Sequence, residues 1–215
     1  MTDAPTIRID MHVHSEYSPD ASIPVGSLVQ AYRQTGIIPL VCDHDRIEGS
    51  LRVMEAIHAY DPRIPRVFAE EIKTADGDLV GLFLTERVRP GLSAEETVEI
   101  ITGQGGLSLV PHPFSRRRSS AMKQRVLDAI IGRIDIIEGY NGRNRFPEDD
   151  QKAVAYARRM NKPISAGSDA HMPIELFRNF VEMECFTSPQ DFVRCLRHAT
   201  LHIEGALPKA AAMIR

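Results

Sequence analysis

The chain reads as an α/β protein, with seven parallel strands closed into a barrel favoured over an open doubly wound sheet, on three observations. Seven β-forming runs alternate with helical stretches across short connections, the signal of parallel strands with helical crossovers. Several runs are continuously apolar, as strands buried on both faces are. Acidic and histidine clusters follow almost every run, whereas an open doubly wound sheet gathers its chemistry at one switch point. A Gly-x-Gly-x-x-Gly turn after the first run, the mark of a dinucleotide-binding sheet, is also missing.

The first strand is expected over residues 7–11, with a helix near 25–35 that stops at Gly36. The second, over 37–41, leads to a helix near 51–60. The third, over 67–71, is followed by a hairpin arm at 78–84 after the turn Ala75-Asp76-Gly77. Ser93-Ala94-Glu95-Glu96 has capping-box spacing and opens a helix to about Gly103. The fourth strand is placed at 107–110 and the fifth at 134–138, with helices near 122–131 and 148–160 behind them. The sixth covers 164–168 and the seventh 180–186. Pro189 then takes the favoured first position of a last helix.

The bulk numbers narrow the field. At 215 residues, 43% hydrophobic and 26% charged, residues 1–215 are expected to form one globular domain. A net charge of -3 gives no polyelectrolyte signal, so nucleic acid is expected only as a substrate. Three cysteines without Cys-x-x-Cys spacing argue against a disulfide framework or a zinc knuckle. The start, Met1-Thr2-Asp3-Ala4-Pro5, has no leader pattern, and no apolar run reaches the ~20 residues of a membrane span. A reducing cytoplasm is the expected compartment.

Five of the eight histidines sit in the strand-end clusters: His12-Val13-His14, Asp43-His44-Asp45, Pro111-His112-Pro113 and Asp169-Ala170-His171, with Glu70-Glu71 as a purely acidic one. In a strand, residues two apart point the same way, so His12 and His14 can share one ion, as can Asp169 and His171. Imidazole and carboxylate delivered together from strand ends are what a multinuclear metal site requires. The residues themselves therefore point to a metal-dependent hydrolase.

The phrases Met11-His12-Val13-His14-Ser15-Glu16-Tyr17-Ser18-Pro19-Asp20, Cys42-Asp43-His44-Asp45, Ala69-Glu70-Glu71-Ile72, Pro111-His112-Pro113-Phe114 and Gly167-Ser168-Asp169-Ala170-His171 resemble the PHP (polymerase and histidinol phosphatase) family of metal-dependent phosphoesterases. The likeness covers nearly the whole chain. It implies a distorted (β/α)7 barrel with a trinuclear site at the strand C-terminal ends, holding two to three divalent ions (manganese, iron or zinc, with magnesium as an alternative). His12, His14, Glu71 and Asp169 would hold the first ion, and Glu71 would bridge to a second bound by His112. Asp20, His44 and His171 would hold the third. Glu138 is offered as a substitute for a histidine that relatives often supply after the fifth strand, against a role as a supporting residue. Glu71 is preferred to Glu70 because the family's carboxylate precedes an apolar residue, here Ile72.

The implied reaction is hydrolysis of a small phosphomonoester by metal-activated water, carried by His12, His14, Glu71, His112, Asp169 and His171. Arg116, Arg117 and Arg118 after His112, and Arg143 with Arg145 beyond the fifth strand, are candidate phosphate contacts, since guanidinium matches phosphate oxygens in bidentate fashion. Of these five, Arg116, Arg117 and Arg143 are put forward. Phosphodiester hydrolysis on a nucleotide or short oligonucleotide is the nearest alternative. Many amidohydrolase-type deaminases use a bridging carbamylated lysine; here Lys73 is the only lysine near a strand-end ligand, and Glu71 already supplies a bridge. A catalytically idle metal-binding module would be expected to have lost ligands. His58, His198 and His202 are assigned to helices and Cys42 to the core. Asp43 or Asp45 is assigned to orienting His44 or to a turn.

Overall fold

Nine strands and six α-helices form within residues 5–204, the part of the chain that the computed structural model describes. The segment read for a leader, Met1 to Ala4, lies outside those residues. In order the elements are β1 (Thr6–Val13), α1 (Val25–Thr35), β2 (Ile37–Val41), α2 (Glu48–Tyr60), β3 (Ala69–Thr74), β4 (Gly77–Leu82), α3 (Ala94–Gly103) and β5 (Leu107–Val110). They continue with α4 (Gln124–Ile130), β6 (Ile136–Asn141), α5 (Pro147–Arg159), β7 (Ile164–Gly167), β8 (Asn179–Glu184), α6 (Pro189–Leu196) and β9 (Thr200–Ile203).

Local chemistry sets many of these boundaries. Gly36 ends α1 in the left-handed region at φ 68°, and its N–H donates to Tyr32 O. The capping box expected at Ser93 and Glu96 is present and starts α3. Pro147 begins α5, whose first turn carries Glu148, Asp149 and Asp150 and whose last carries Arg158 and Arg159, complementing the helix dipole.

The strands make two mixed sheets, ordered β2-β1-β8-β9 and β3-β4-β5-β6-β7. This corrects the closed barrel. Among the described residues no continuous ladder joins the sheets, which are linked by single parallel bridges, Val13 to Ala170 and His44 to Glu71. The parallel pairing expected holds for β1 with β2 and for β5, β6 and β7, the hairpin arm forms as expected, and β8 departs from it. The hairpin arm became β4, antiparallel to both β3 and β5, and β8 returns antiparallel to β1. Pro39 sits in β2, at the edge of its sheet, where the missing N–H breaks no ladder. β9 was not foreseen: His202 lies on it, stacked on Phe180 at 4.4 Å, rather than at a helix end.

The two bridges join Val13, the last residue of β1, to Ala170 just past β7, and His44 just past β2 to Glu71 within β3, so the sheets touch where these residues meet. His14 N donates to Ala170 O (2.9 Å), Asp169 N to His12 O (2.7 Å) and Glu71 N to Asp43 O (3.1 Å). Gly167 allows the close approach, since a Cβ there would lie 2.4 Å from the Cβ of His12. The main core, including Met11, Leu28, Leu40, Met54 and Phe192, packs behind this seam. No helix among the described residues is long and apolar enough to cross a membrane.

Candidate metal centre

Four buried donor atoms converge at the seam. His12 Nε2 lies 3.1 Å from His14 Nε2, 3.5 Å from Glu71 Oε2 and 3.6 Å from Asp169 Oδ1. His14 Nε2 is 3.3 Å from each of those two oxygens. Glu71 Oε2 and Asp169 Oδ1 have no hydrogen-bond partner although they are fully buried. Two residues of the centre, Asp169 and His112, have positive φ, 55° and 32°.

The donor set fits a cation. Donors about 2.0–2.2 Å from one tetrahedral ion sit about 3.3–3.6 Å apart, the spacing seen here. The rings are also polarised from outside. His14 Nδ1 is 3.0 Å from Ser18 Oγ, which donates to Asp43 Oδ1 at 2.8 Å, so Nδ1 carries the proton and Nε2 the lone pair. Charge points the same way. Burial would raise the Glu71 carboxyl, but the His12, His112 and His14 rings hold it well below its ordinary value. Asp169 is likewise pushed up by burial and pulled well below by Arg118 and His12. Burial opposes charge on His12, yet Cys42 and the Asp169, Glu138 and Glu71 carboxylates raise its ring well above the usual range.

Around this core, His112 Nε2 faces Glu71 Oε1 at 3.0 Å, and His112 Nδ1 is buried without a partner. A more open group lies on the other side. Asp20 Oδ2 is 3.6 Å from His44 Nε2 and 3.4 Å from His171 Nε2. His171 Nδ1 faces Asp169 O at 2.9 Å, which puts its proton there and leaves Nε2 toward Asp20. His171 and His44 hold the Asp20 carboxyl far below its usual range. Burial works against charge on His44, but Asp20 and Glu71 raise its ring to about 10.

The structure thus brings together His12, His14, Asp20, His44, Glu71, His112, Asp169 and His171. It separates others. Glu138 is not among the converging donors, because both its oxygens are taken: Oε1 by His12 Nδ1 at 3.0 Å, Oε2 by the backbone N–H of His112 and by Asn141 Nδ2. Glu70 turns away from Glu71 and accepts from Val88 N. Neither Asp43 nor Asp45 orients the His44 ring: Asp43 accepts from Ser15 N, Ser15 Oγ and Ser18 Oγ, and Asp45 from Lys73 N. Cys42 lies within 4.8 Å of the His12 and His14 donors, but burial pushes its thiol up to about 11 and it donates to Val13 O. Lys73 is exposed on β3.

The arginines are redistributed. Arg116 donates to Asp149 Oδ1 (2.7 Å) and Glu148 Oε2 (3.0 Å) and lies over the Phe146 ring, which removes it from the centre. Arg117 is exposed on the same loop. Arg143 lies 3.6 Å from Glu175 Oε1. Arg118, one of the five arginines offered from the sequence but not among the three put forward, turns inward and pairs with Asp169 Oδ2. Its only sequence signal was membership of the Arg116-Arg117-Arg118 run after His112.

Fold and site define an α/β protein with a buried histidine–carboxylate centre at its strand ends. Residues 147–201 match the PHP-associated family model. The uncharacterized protein MJ0417 of Methanocaldococcus jannaschii is 30% identical over 204 residues, 90% of this chain and 81% of that protein. A two-domain protein from Bacteroides vulgatus, containing a predicted PHP-like metal-dependent phosphoesterase, superposes with a TM-score of 0.73 at 18% identity. The match covers 94% of this chain and 66% of that one, just under two thirds of its length. The lesion-specific endonuclease PfuEndoQ of Pyrococcus furiosus gives a TM-score of 0.62 at 18% identity, over 95% of this chain and 60% of the endonuclease. The chain belongs to the PHP domain family.

Proposed function

We propose that this protein is a metal-dependent phosphoesterase acting on a small phosphomonoester, with up to three divalent ions at the strand-end centre. The observation that carries the reading is the convergence of His12, His14, Glu71 and Asp169 on one point, with two buried carboxylate oxygens that make no hydrogen bond. His12, His14, Glu71 and Asp169 would hold one ion, Glu71 and His112 a second, and Asp20, His44 and His171 a third. Divalent ions there would neutralise phosphoryl oxygens and make water a usable nucleophile near neutral pH. Manganese, iron and zinc all suit this mixed nitrogen and oxygen donor set.

The chain's own residues supply the rest. Arg118 spends one N–H on Asp169 and is partly exposed, so its remaining donors can meet a phosphoryl group. Arg143, tethered beside Glu175, stands on the His171 side and completes a cationic mouth. Ser18 with Asp43 fixes the His14 ring. Asp10 accepts from Ser168 N and Ser168 Oγ and so fixes the strand end that presents Asp169.

Metal analysis of the purified protein, with manganese-supplemented hydrolysis of p-nitrophenyl phosphate and its bis ester, tests the reading. Two to three ions with monoester turnover is the expected result, and wild-type protein with neither metal nor turnover would overturn it. Turnover of the bis ester alone would favour a second reading, a phosphodiesterase or nuclease, which the similarity in fold to PfuEndoQ supports.

A further inference from the structure

We infer that Glu138 and Asn141 work as one positioning clamp for three groups of the centre, His12, His112 and Asp169. The inference deepens the metal-centre reading and rests on it. Its origin is a backbone irregularity in β6. Pairing with β7 runs from Glu138–Ser165 to Tyr140–Ala166, so Gly139 is an extra residue. In a regular strand, residues three apart point to opposite faces. A one-residue bulge cancels that alternation. Glu138 and Asn141 therefore share a face, and Asn141 Nδ2 donates to Glu138 Oε2 at 3.0 Å. Glycine suits the bulge because a Cβ at 139 would lie 2.5 Å from Ile164 Cγ2.

Each member reaches other strands. Glu138 Oε2 also accepts from the His112 N–H beyond β5, and Oε1 faces His12 Nδ1 on β1 at 3.0 Å. Asn141 Nδ2 makes a second bond, 3.1 Å, to Asp169 Oδ2 beyond β7. The amide orientation is fixed by its neighbours. Arg143 N donates to Asn141 Oδ1 at 3.0 Å, so the NH2 must face the two carboxylates. Both side chains are buried, which leaves these bonds without competition from water.

The chemical consequence is directional. A carboxylate at Oε1 makes Nδ1 the proton-bearing nitrogen of His12 and leaves Nε2 as a lone pair toward His14, Glu71 and Asp169. Holding Asp169 by Oδ2 leaves Oδ1, the oxygen without a hydrogen bond, for the centre. Glutamine cannot replace Glu138, because three groups donate to it and an amide offers only one oxygen.

The test is Zn2+ affinity of the full chain by competition with a chromogenic chelator, combined with 15N NMR of the histidine rings in the zinc-loaded protein. Glu138→Gln and Asn141→Ala should each weaken Zn2+ binding about 10- to 100-fold. The Nδ1-protonated pattern of the His12 ring should also be lost in Glu138→Gln. Thermal unfolding of the metal-free variants checks folding, and Asn141→Ser stands in where either variant fails. Wild-type protein that binds no Zn2+ would overturn the metal-centre reading and the clamp with it. Wild-type binding with equal affinity in the variants would overturn the clamp alone. Weaker binding with an unchanged His12 pattern would also overturn it, because loosened packing would then suffice.

Discussion

The two halves of the centre are built differently. His12, His14, Glu71 and Asp169 have side chains no more than 1% exposed, whereas Asp20 is 56% and His44 30% exposed. The inner rings are also braced from behind, His12 by Glu138 and His14 through Ser18 to Asp43. Asp20, by contrast, rides on the loop between β1 and α1, and its contacts in the centre are His44 and His171 themselves. Donors that are dry and pre-positioned cost little reorganisation when they take up an ion, while an exposed carboxylate must be ordered and competes with water. The inner half should therefore hold its ion tightly, and the outer half should exchange.

The largest test of that contrast removes an inner donor. His14→Ala or Asp169→Ala should lower kcat/KM by more than ~1000-fold and abolish the tightest metal site while far-UV circular dichroism stays native. Wild-type rates in either variant would sink the distinction. Asp20→Ala should cost less, about 10- to 100-fold, and its loss should be partly reversed by excess Mn2+ in the assay. An equal, irreversible loss in both halves would show that burial does not sort them. The last test compares two arginines of one loop, and its second member carries the smallest effect. Arg118→Ala should lower kcat/KM by about 10- to 100-fold, since it removes a charge-assisted bond on Asp169 worth about 1.5–3 kcal/mol. Arg116→Ala should leave the kinetics unchanged and lower stability by about 1 kcal/mol in urea unfolding, through loss of its bonds to Asp149 and Glu148.

The inner half was also the more legible in sequence. His12 and His14 follow a β-forming run at the two-residue period that puts side chains on one face. Asp169 shares that spacing with His171 of the outer group, whereas Asp20 lies in a loop and entered only through the resemblance. Capping residues such as Ser93 and Glu96, and breakers such as Gly36, likewise act within a few residues of themselves. What failed to show depends on contacts between segments far apart in the chain. Glu138 read equally well as a donor or a supporter, because its role turns on His12, 126 residues away. Asn141 was invisible as a partner: alternation points it away from Glu138, and a bulge at Gly139 reverses that.

By itself, then, the sequence determined which residue types stand at the strand ends and the local periodicity that pairs them. Tertiary structure alone decided that the sheets stay separate and meet at a seam. It also decided that β8 runs antiparallel to β1, and that Arg118 rather than Arg116 turns inward. The physical reason is range. Side-chain period and capping are set by neighbours along the chain, whereas sheet closure, bulges and the choice among adjacent arginines are settled by which distant groups bury or pair with them.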